Sequence, residues 1–203
     1  MIVNSKGAKD NKILLPYVIE RNSSEKWGIF GDSFAALAED ERTEWEAGNL
    51  FKPEHSWMSF LADFFNVTCE VYGVHGSSNP DIFDTVFNCG KEYDRYIIFM
   101  TSPTRVELTS KQKFTQSLCK KLKDHLTGKK VIICYWSESH KIYDFNFPTI
   151  LCTQYKTNQN PFETVADYAR RKNPYDNSWG FNHMSLRGNF LFAFDLYRLI
   201  NSC

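Results

Sequence analysis

The chain alternates between continuous apolar runs and stretches in which apolar residues recur every three or four positions. Continuous runs indicate strands buried on both faces of a sheet, whereas the three-to-four spacing indicates amphipathic helices. The five strands predicted in this way cover 27–30, 67–74, 96–100, 131–136 and 147–153. A further edge strand is expected within 13–19, because an edge position tolerates Pro16.

Amphipathic helices separate the predicted strands. The most regular one lies at 53–66, and its predicted buried stripe consists of Trp57, Phe60, Leu61, Phe64 and Phe65. The other helices are predicted at 34–46, around 82–87, at 109–126, at 160–171 and from the capping residue Ser185 to Ile200. This alternation favours a three-layer α/β/α sandwich with a mostly parallel sheet of about five strands. Residues 1–25 are interpreted as an N-terminal arm and residues 26–203 as one domain.

Composition and charge narrow the class of protein. The 203 residues are 42% hydrophobic and 16% aromatic, which is enough to bury a substantial core. Lysine and arginine together number 24, as do aspartate and glutamate, so no global field attracts nucleic acid or an anionic membrane. The apolar run at 13–19 is too short to span a membrane, and no cleavage site follows it. We therefore expect a cytoplasmic protein without nucleic-acid or membrane partners.

The cysteines argue against a disulfide framework and against a metal site. They lie at positions 69, 89, 119, 134, 152 and 203, and no two form a C-x-x-C pair. Several stand in or beside apolar runs, which is typical of small buried side chains in a reducing compartment. His55, His125 and His140 show no metal-ligand spacing. We expect no metal and no cofactor.

Candidate chemistry begins at Gly31-Asp32-Ser33, between an apolar run and an alanine-rich segment. This pattern predicts that Ser33 lies at the carboxyl end of a strand, next to the unpaired N–H groups of a helix start. Such a position suits a nucleophile, because those groups can hold an anion that forms beside it. A helix N-cap is the commoner explanation of the tripeptide alone. Two polar segments, 75–79 and 101–105, follow other predicted strands, so all three are expected on one rim of the sheet.

Taken in order, these segments resemble blocks of the SGNH hydrolases, also called the GDSL esterase family. Ser33 matches the family nucleophile, and Gly76, in Val-His-Gly-Ser-Ser, matches the glycine whose N–H is an oxyanion donor. His183, in Asn-His-Met-Ser-Leu-Arg-Gly-Asn, matches the general base. The resemblance covers about 27–200 and implies a Ser-His hydrolase in which the Ser33 N–H is a further oxyanion donor.

The sequence departs from the family pattern at two positions. The third family block ends in Gly-x-Asn-Asp, whose asparagine is an oxyanion donor, and the best match here is Ser102. The family has an aspartate three residues before the histidine, and Gly180 occupies that position. The nearest acid is Asp176, so either Asp176, a backbone carbonyl or a water is expected to orient His183. A Ser-His pair supports acyl transfer without the acid, at a lower rate.

The resemblance implies hydrolysis of small acyl esters, such as acetyl groups on carbohydrate. Two alternatives stay open. A degenerate SGNH domain could serve as a binding or structural module with protein partners, for instance in a phage particle. A flavodoxin-like nucleotide binder shares the layer order, but it would need a phosphate loop richer in Ser, Thr and Gly than 31–35. The segment 99–105 also looks like variants in bacteriophage-encoded family members, which would place the protein in a virion or a host cytoplasm.

Overall fold

The structure is a computed structural model of the chain. It describes residues 2–3, 16–32, 35, 54, 56–74, 76–101, 109–135, 143–151 and 186–203. The chain divides into two compact units, one made of 1–36 and 66–151 and the other of 37–65 and 152–203. The first unit contains a sheet with two helices, and the second contains a helix pair.

The sheet has seven strands within the described residues. They are β1 (Ile2–Val3), β2 (Tyr17–Ile19), β3 (Lys26–Gly31), β4 (Thr68–Gly73), β5 (Arg95–Met100), β6 (Val131–Tyr135) and β7 (Thr149–Leu151). Strands β3 to β7 are mutually parallel and confirm the five predicted strands, while β2 is antiparallel to β4 and β1 to β2. The predicted edge strand is present as β2, but β1 lies outside it. The α/β fold with a mostly parallel sheet is thus as predicted.

The order of the strands explains where a ligand site is expected. Across the sheet they run β1-β2-β4-β3-β5-β6-β7, so β3 lies between β4 and β5. The chain leaves β3 for β4 on one side and then crosses to β5 on the other. In doubly wound sheets this reversal opens a crevice at the carboxyl ends of the strands. The strand order therefore leads us to expect a ligand site at the end of β3.

Both faces of the central strands are buried, which is why these strands are continuous apolar runs in the sequence. On one face, Phe30, Ile98 and Ile133 belong to a cluster that also contains buried residues of the two helices of this unit. On the opposite face, Ile29 and Ile97 are fully buried as well.

Four helices are present in the described residues, all of them predicted. They are α1 (Trp57–Phe65), α2 (Asn79–Asn88), α3 (Thr109–His125) and α4 (Leu186–Ser202). In the sheet unit, α2 contacts both β3 and α3. It begins at Asn79, so the polar loop after β4 is shorter than predicted. The predicted helices at 34–46 and 160–171 lie outside the described residues.

A polar cluster is buried beside the central strands. Glu70 of β4 is only 6% exposed, and its Oε2 accepts hydrogen bonds from Lys91 Nζ at 2.6 Å and from the Tyr93 hydroxyl at 2.8 Å. The Tyr72 hydroxyl lies 3.3 Å from the same oxygen and 2.7 Å from the Tyr93 hydroxyl. Burial raises the pKa of the Glu70 carboxyl, but these three hydrogen bonds lower it by more, so the carboxylate stays charged.

Gly28 makes room for this cluster. It is paired with Glu70 in the β3–β4 register. A Cβ built on Gly28 would lie 2.6 Å from the ring of Tyr93 and 2.7 Å from that of Phe30. A side chain at this position would therefore force both rings away.

In the second unit, α1 and α4 pack through aromatic rings. The backbone N–H of Trp57 donates to Asn189 Oδ1 at 3.0 Å. The Trp57 ring packs edge-on against the Phe192 ring, with 5.2 Å between the ring centroids. The single stripe predicted for α1 is not what the structure shows. The buried residues of the helix are Trp57, Met58, Ser59, Leu61 and Ala62. Phe60, Phe64 and Phe65 are half-buried, because their rings lie against Phe190 and Tyr197 of α4 instead.

The described cysteines fit the prediction of small buried side chains in part. Cys69, Cys119 and Cys134 are buried, Cys89 is half-buried and Cys203 is exposed, all as free thiols. Burial raises the pKa of Cys69 and of Cys119 to about 12, and it raises that of Cys134 as well. None of the helices in the described ranges has the length and apolar character that crossing a membrane requires.

Candidate functional site at the carboxyl ends of the central strands

The turn that follows β3 depends on a glycine. The Ala35 N–H donates to the Asp32 carbonyl at 3.0 Å, which folds the chain back over the end of the strand. A Cβ on Gly31 would lie 2.8 Å from the Cβ atoms of both Ala35 and Phe99. Because Phe99 belongs to the neighbouring β5, only a glycine lets the turn and the strand approach so closely. The predicted nucleophile, Ser33, lies between Asp32 and Ala35 in the sequence, outside the described residues.

A second turn follows β4. The Val74 N–H donates to the Gly31 carbonyl at 3.2 Å, so this turn starts directly beside the end of β3. The Ser77 N–H donates to the Val74 carbonyl at 3.2 Å and closes the turn. Gly76 is its third residue and has a φ of 77°, the sign that a type II turn needs there. No atom of the described residues lies within 4 Å of where a Gly76 Cβ would be, so the glycine serves the backbone conformation.

The start of α2 is capped on both sides. The Asp81 N–H donates to Ser78 Oγ at 3.5 Å, while the Ser78 N–H donates to Asp81 Oδ2 at 2.9 Å. This reciprocal arrangement is a capping box, with Pro80 in the first turn where a missing N–H is harmless. The capping box thus defines the start of the helix directly after the Gly76 turn.

A buried asparagine links this helix start to β5. Asn79 Oδ1 accepts from the Thr101 N–H at 2.9 Å, and Asn79 Nδ2 donates to the Thr101 carbonyl at 3.1 Å. Asn79 is 0% exposed and Thr101 is 2% exposed. The role of Asn79 was not predicted from the sequence, where Asn79 was assigned to a polar loop. The available indication was its place next to Ser78 and Pro80, residues typical of a helix start.

The structure thus brings the ends of β3, β4 and β5 together on one edge of the sheet, as predicted, and it describes Gly76 there. The other predicted site residues, Ser33, Ser102, Asp176 and His183, lie outside the described residues, as does Gly180. Their mutual distances stay predictions. Among the side chains that the structure does describe, no three His, Cys, Asp or Glu residues are grouped as a metal site would need.

Comparison with known proteins adds a structural likeness. No protein-family model matches the sequence, and no curated protein matches it either. The structure superposes on a protein from Desulfitobacterium hafniense assigned to the lipolytic G-D-S-L family, with a TM-score of 0.57 and 15% identity. The match covers 87% of this chain and 99% of that one. The chain has the SGNH hydrolase fold.

Two further SGNH-fold neighbours are carbohydrate esterases by name. An acetylxylan esterase from Geobacillus stearothermophilus matches with a TM-score of 0.52 and 12% identity over 88% of this chain and 94% of its own. Its catalytic mutants replace a serine or a histidine by alanine. A carbohydrate acetylesterase family member from Sinorhizobium meliloti matches with a TM-score of 0.56 and 10% identity over 88% and 100%. At these sequence identities the similarity shows a shared fold and nothing further.

Within this SGNH fold, three of the sequence blocks follow three different strands. The Gly31-Asp32-Ser33 block follows β3, the Gly76 block follows β4, and the segment that begins at Thr101 follows β5. Since β3 is the central strand of the three, its carboxyl end lies between those of β4 and β5.

Proposed function

We propose that this chain is a serine ester hydrolase of the SGNH type. Ser33 is the nucleophile and His183 the general base. The oxyanion donors are the N–H groups of Ser33 and Gly76 and the hydroxyl of Ser102. The observation that carries the proposal is topological: the serine block follows the central strand of the sheet in the sequence, and the two neighbouring strands, whose ends Asn79 links, lead to the proposed oxyanion donors.

The reaction proceeds in two acyl-transfer steps. His183 takes the hydroxyl proton as Ser33 Oγ attacks the acyl carbon, and the carbonyl electron pair moves onto oxygen, where the oxyanion donors stabilise it. Collapse breaks the bond to the alcohol, which leaves with the proton from His183. A water then attacks the acyl-enzyme in the same way and releases the acid and free Ser33.

The proposed substrates are small acyl esters, in particular acetyl groups on carbohydrate. Support comes from the named activities of two neighbours with the same fold, an acetylxylan esterase and a carbohydrate acetylesterase family member. The catalytic serine and histidine of the acetylxylan esterase support the Ser-His assignment in this chain. No cofactor takes part in this chemistry.

The two departures from the family pattern lead us to expect slow turnover. Loss of one oxyanion donor costs roughly 2.7–4 kcal/mol of transition-state stabilisation in a serine protease, and a Ser102 hydroxyl replaces such a donor incompletely. Gly180 removes the acid that orients the histidine. We expect a backbone carbonyl or water, rather than Asp176, to hold the His183 proton. An unchanged rate in Asp176→Asn supports this choice, while a loss of up to ~10⁴ would identify Asp176 as the orienting acid.

The deciding experiment is labelling with a fluorophosphonate probe. The unmodified chain should become labelled on the peptide that contains Ser33 and should hydrolyse an acetylated xylo-oligosaccharide. Ser33→Ala and His183→Ala should each abolish both, because the two residues act as a unit. Ser202→Ala is the matched control, since that exposed hydroxyl donates to the Leu199 carbonyl in the last turn of α4. Absence of labelling in the folded, unmodified chain would refute the proposal and favour a binding or structural module.

A further inference from the structure

The two loops proposed to carry oxyanion donors do not leave adjacent strands. Gly76 follows β4 and Ser102 follows β5, and β3 lies between these strands. Neighbouring strands are about 4.8 Å apart, so the ends of β4 and β5 are separated by roughly 10 Å. β4 and β5 do not pair with each other, so the sheet relates their ends only through β3. A contact across the end of β3 would link the two loops directly.

Asn79 makes that contact. Its carboxamide binds both the N–H and the carbonyl of Thr101, at 2.9 and 3.1 Å. The backbone of Asn79 belongs to the capped helix start that follows the Gly76 turn. We propose that Asn79 is a positioning residue for the hydrolase: it fixes the loop with Gly76 relative to the loop with Ser102, across the end of the strand that leads to Ser33. This inference rests on the proposed function.

The bond to the Thr101 carbonyl gives Asn79 control over Ser102. A peptide unit is planar, so the Thr101 carbonyl and the Ser102 N–H belong to one rigid plane. Holding that carbonyl sets the direction in which the chain continues to Ser102. Asn79 itself is fully buried and uses its Oδ1 and its Nδ2 on Thr101, so it does not replace the missing family asparagine as a donor to substrate.

A purely structural asparagine and a positioning asparagine differ in their kinetic effects. Oxyanion donors act on charge that develops in the transition state, so a shift of the two loops lowers kcat with little change in KM. A displacement of about 1 Å can cost on the order of a hundredfold in rate. A purely structural residue would lower the melting temperature and leave the kcat of the folded enzyme unchanged.

The test compares Asn79→Ala with Asn88→Ala, which removes the same side chain at the other end of α2. Asn88 is exposed, and its Nδ2 donates to the Asp84 carbonyl of its own helix, at 2.8 Å. Both variants are assayed below their melting transitions, for fluorophosphonate labelling of Ser33 and for kcat and KM on an acetyl ester. We expect Asn79→Ala to lose about tenfold to a hundredfold in kcat and in labelling rate, with KM within about twofold. Asn88→Ala should match the unmodified chain.

Asn79→Asp keeps the inference testable if Asn79→Ala does not fold. A protonated carboxyl has the shape of the amide and can donate to the Thr101 carbonyl, whereas the carboxylate cannot. The kcat of this variant relative to the unmodified chain should fall as the pH rises through the pKa of the new side chain. Unmodified kcat in a folded Asn79 variant, or a flat ratio against pH, overturns the inference alone. No labelling of the unmodified chain overturns the proposed function, and this inference with it.

Discussion

Replacement of Gly76 by alanine should separate loss of activity from loss of stability. Gly76 has a φ of 77°, and no described atom lies within 4 Å of its missing Cβ. The new methyl group therefore meets no steric clash with the described residues, and the cost is confined to the backbone. A left-handed conformation costs a residue with a Cβ about 1–2 kcal/mol, of which roughly 0.4–1 kcal/mol is offset by the stiffer unfolded chain. The net loss of about 1 kcal/mol corresponds to a fall in Tm of about 2–4 °C.

Gly128 provides a matched control. It has a φ of 79°, and no described atom lies within 4 Å of its Cβ position, so Gly128→Ala carries the same backbone cost. It precedes β6, at the opposite end of the parallel strands from the proposed site. Thermal unfolding should show similar losses of stability in both variants. Ester hydrolysis by Gly76→Ala should fall by about a hundredfold, because a small shift of the turn moves an oxyanion donor, while Gly128→Ala keeps its rate.

Two results would refute this reasoning. Full activity in a Gly76→Ala variant that is destabilised like Gly128→Ala would show that the Gly76 N–H is not an oxyanion donor. Equal losses of activity in both variants would show that the rate follows overall stability and not the geometry of the turn.

The other predictions concern the interior. Tyr93→Phe should lower the free energy of unfolding in urea by about 1.5–3 kcal/mol, because it removes a hydrogen bond to a buried carboxylate. The pKa of Glu70 in the folded protein lies below its ordinary value of 4.5. The stability that the Glu70 carboxylate contributes is therefore present above pH 4.5 and is lost as the pH falls through the folded pKa. Acid unfolding of Glu70→Gln should lack this pH-dependent loss of stability. Gly28→Ala should cost about 1–3 kcal/mol on thermal unfolding, since its Cβ would clash with two rings. In the native protein, iodoacetamide should modify Cys203 quickly, whereas mass mapping should find three thiols unmodified, those of Cys69, Cys119 and Cys134.

The sequence predicted those parts of the fold that depend on local apolar patterning. Strands β3, β5 and β6 are buried almost throughout, so each appears in the sequence as a continuous apolar run that cannot be confused with an amphipathic helix. The prediction of one buried stripe on α1 was wrong in part, because the sequence pattern shows only that residues such as Phe60 are apolar and not which surface they contact. Whether Phe60 faces the interior or the neighbouring ring of Phe190 depends on how α4 packs, which local spacing does not encode. Strand β1 was not predicted, because a strand of two residues is too short to show a pattern of apolar positions.

The candidate site divides in the same way. The positions of Gly31 at the end of β3 and of Gly76 in the turn after β4 were predictable, since glycine is common where a strand passes into a turn. The bridge from Asn79 to Thr101 was not predictable, because it joins residues 22 positions apart across an intervening strand. Such a contact depends on strand order, and the order of β3, β4 and β5 follows from crossovers that a single sequence specifies only weakly.

The antiparallel strands β1 and β2 have a consequence for solubility. An unpaired strand edge presents a row of N–H and carbonyl groups that can bind another chain. Here β2 covers the edge of β4 at Cys69, Glu70 and Val71. The outer strands of the sheet within the described residues are β1, of two residues, and β7, of three. Edges this short expose few unpaired backbone groups to which another strand could bind. Removal of residues 1–20 would expose the edge of β4 at Cys69, Glu70 and Val71, the residues with which β2 pairs, and would turn a protected sheet into a template for aggregation.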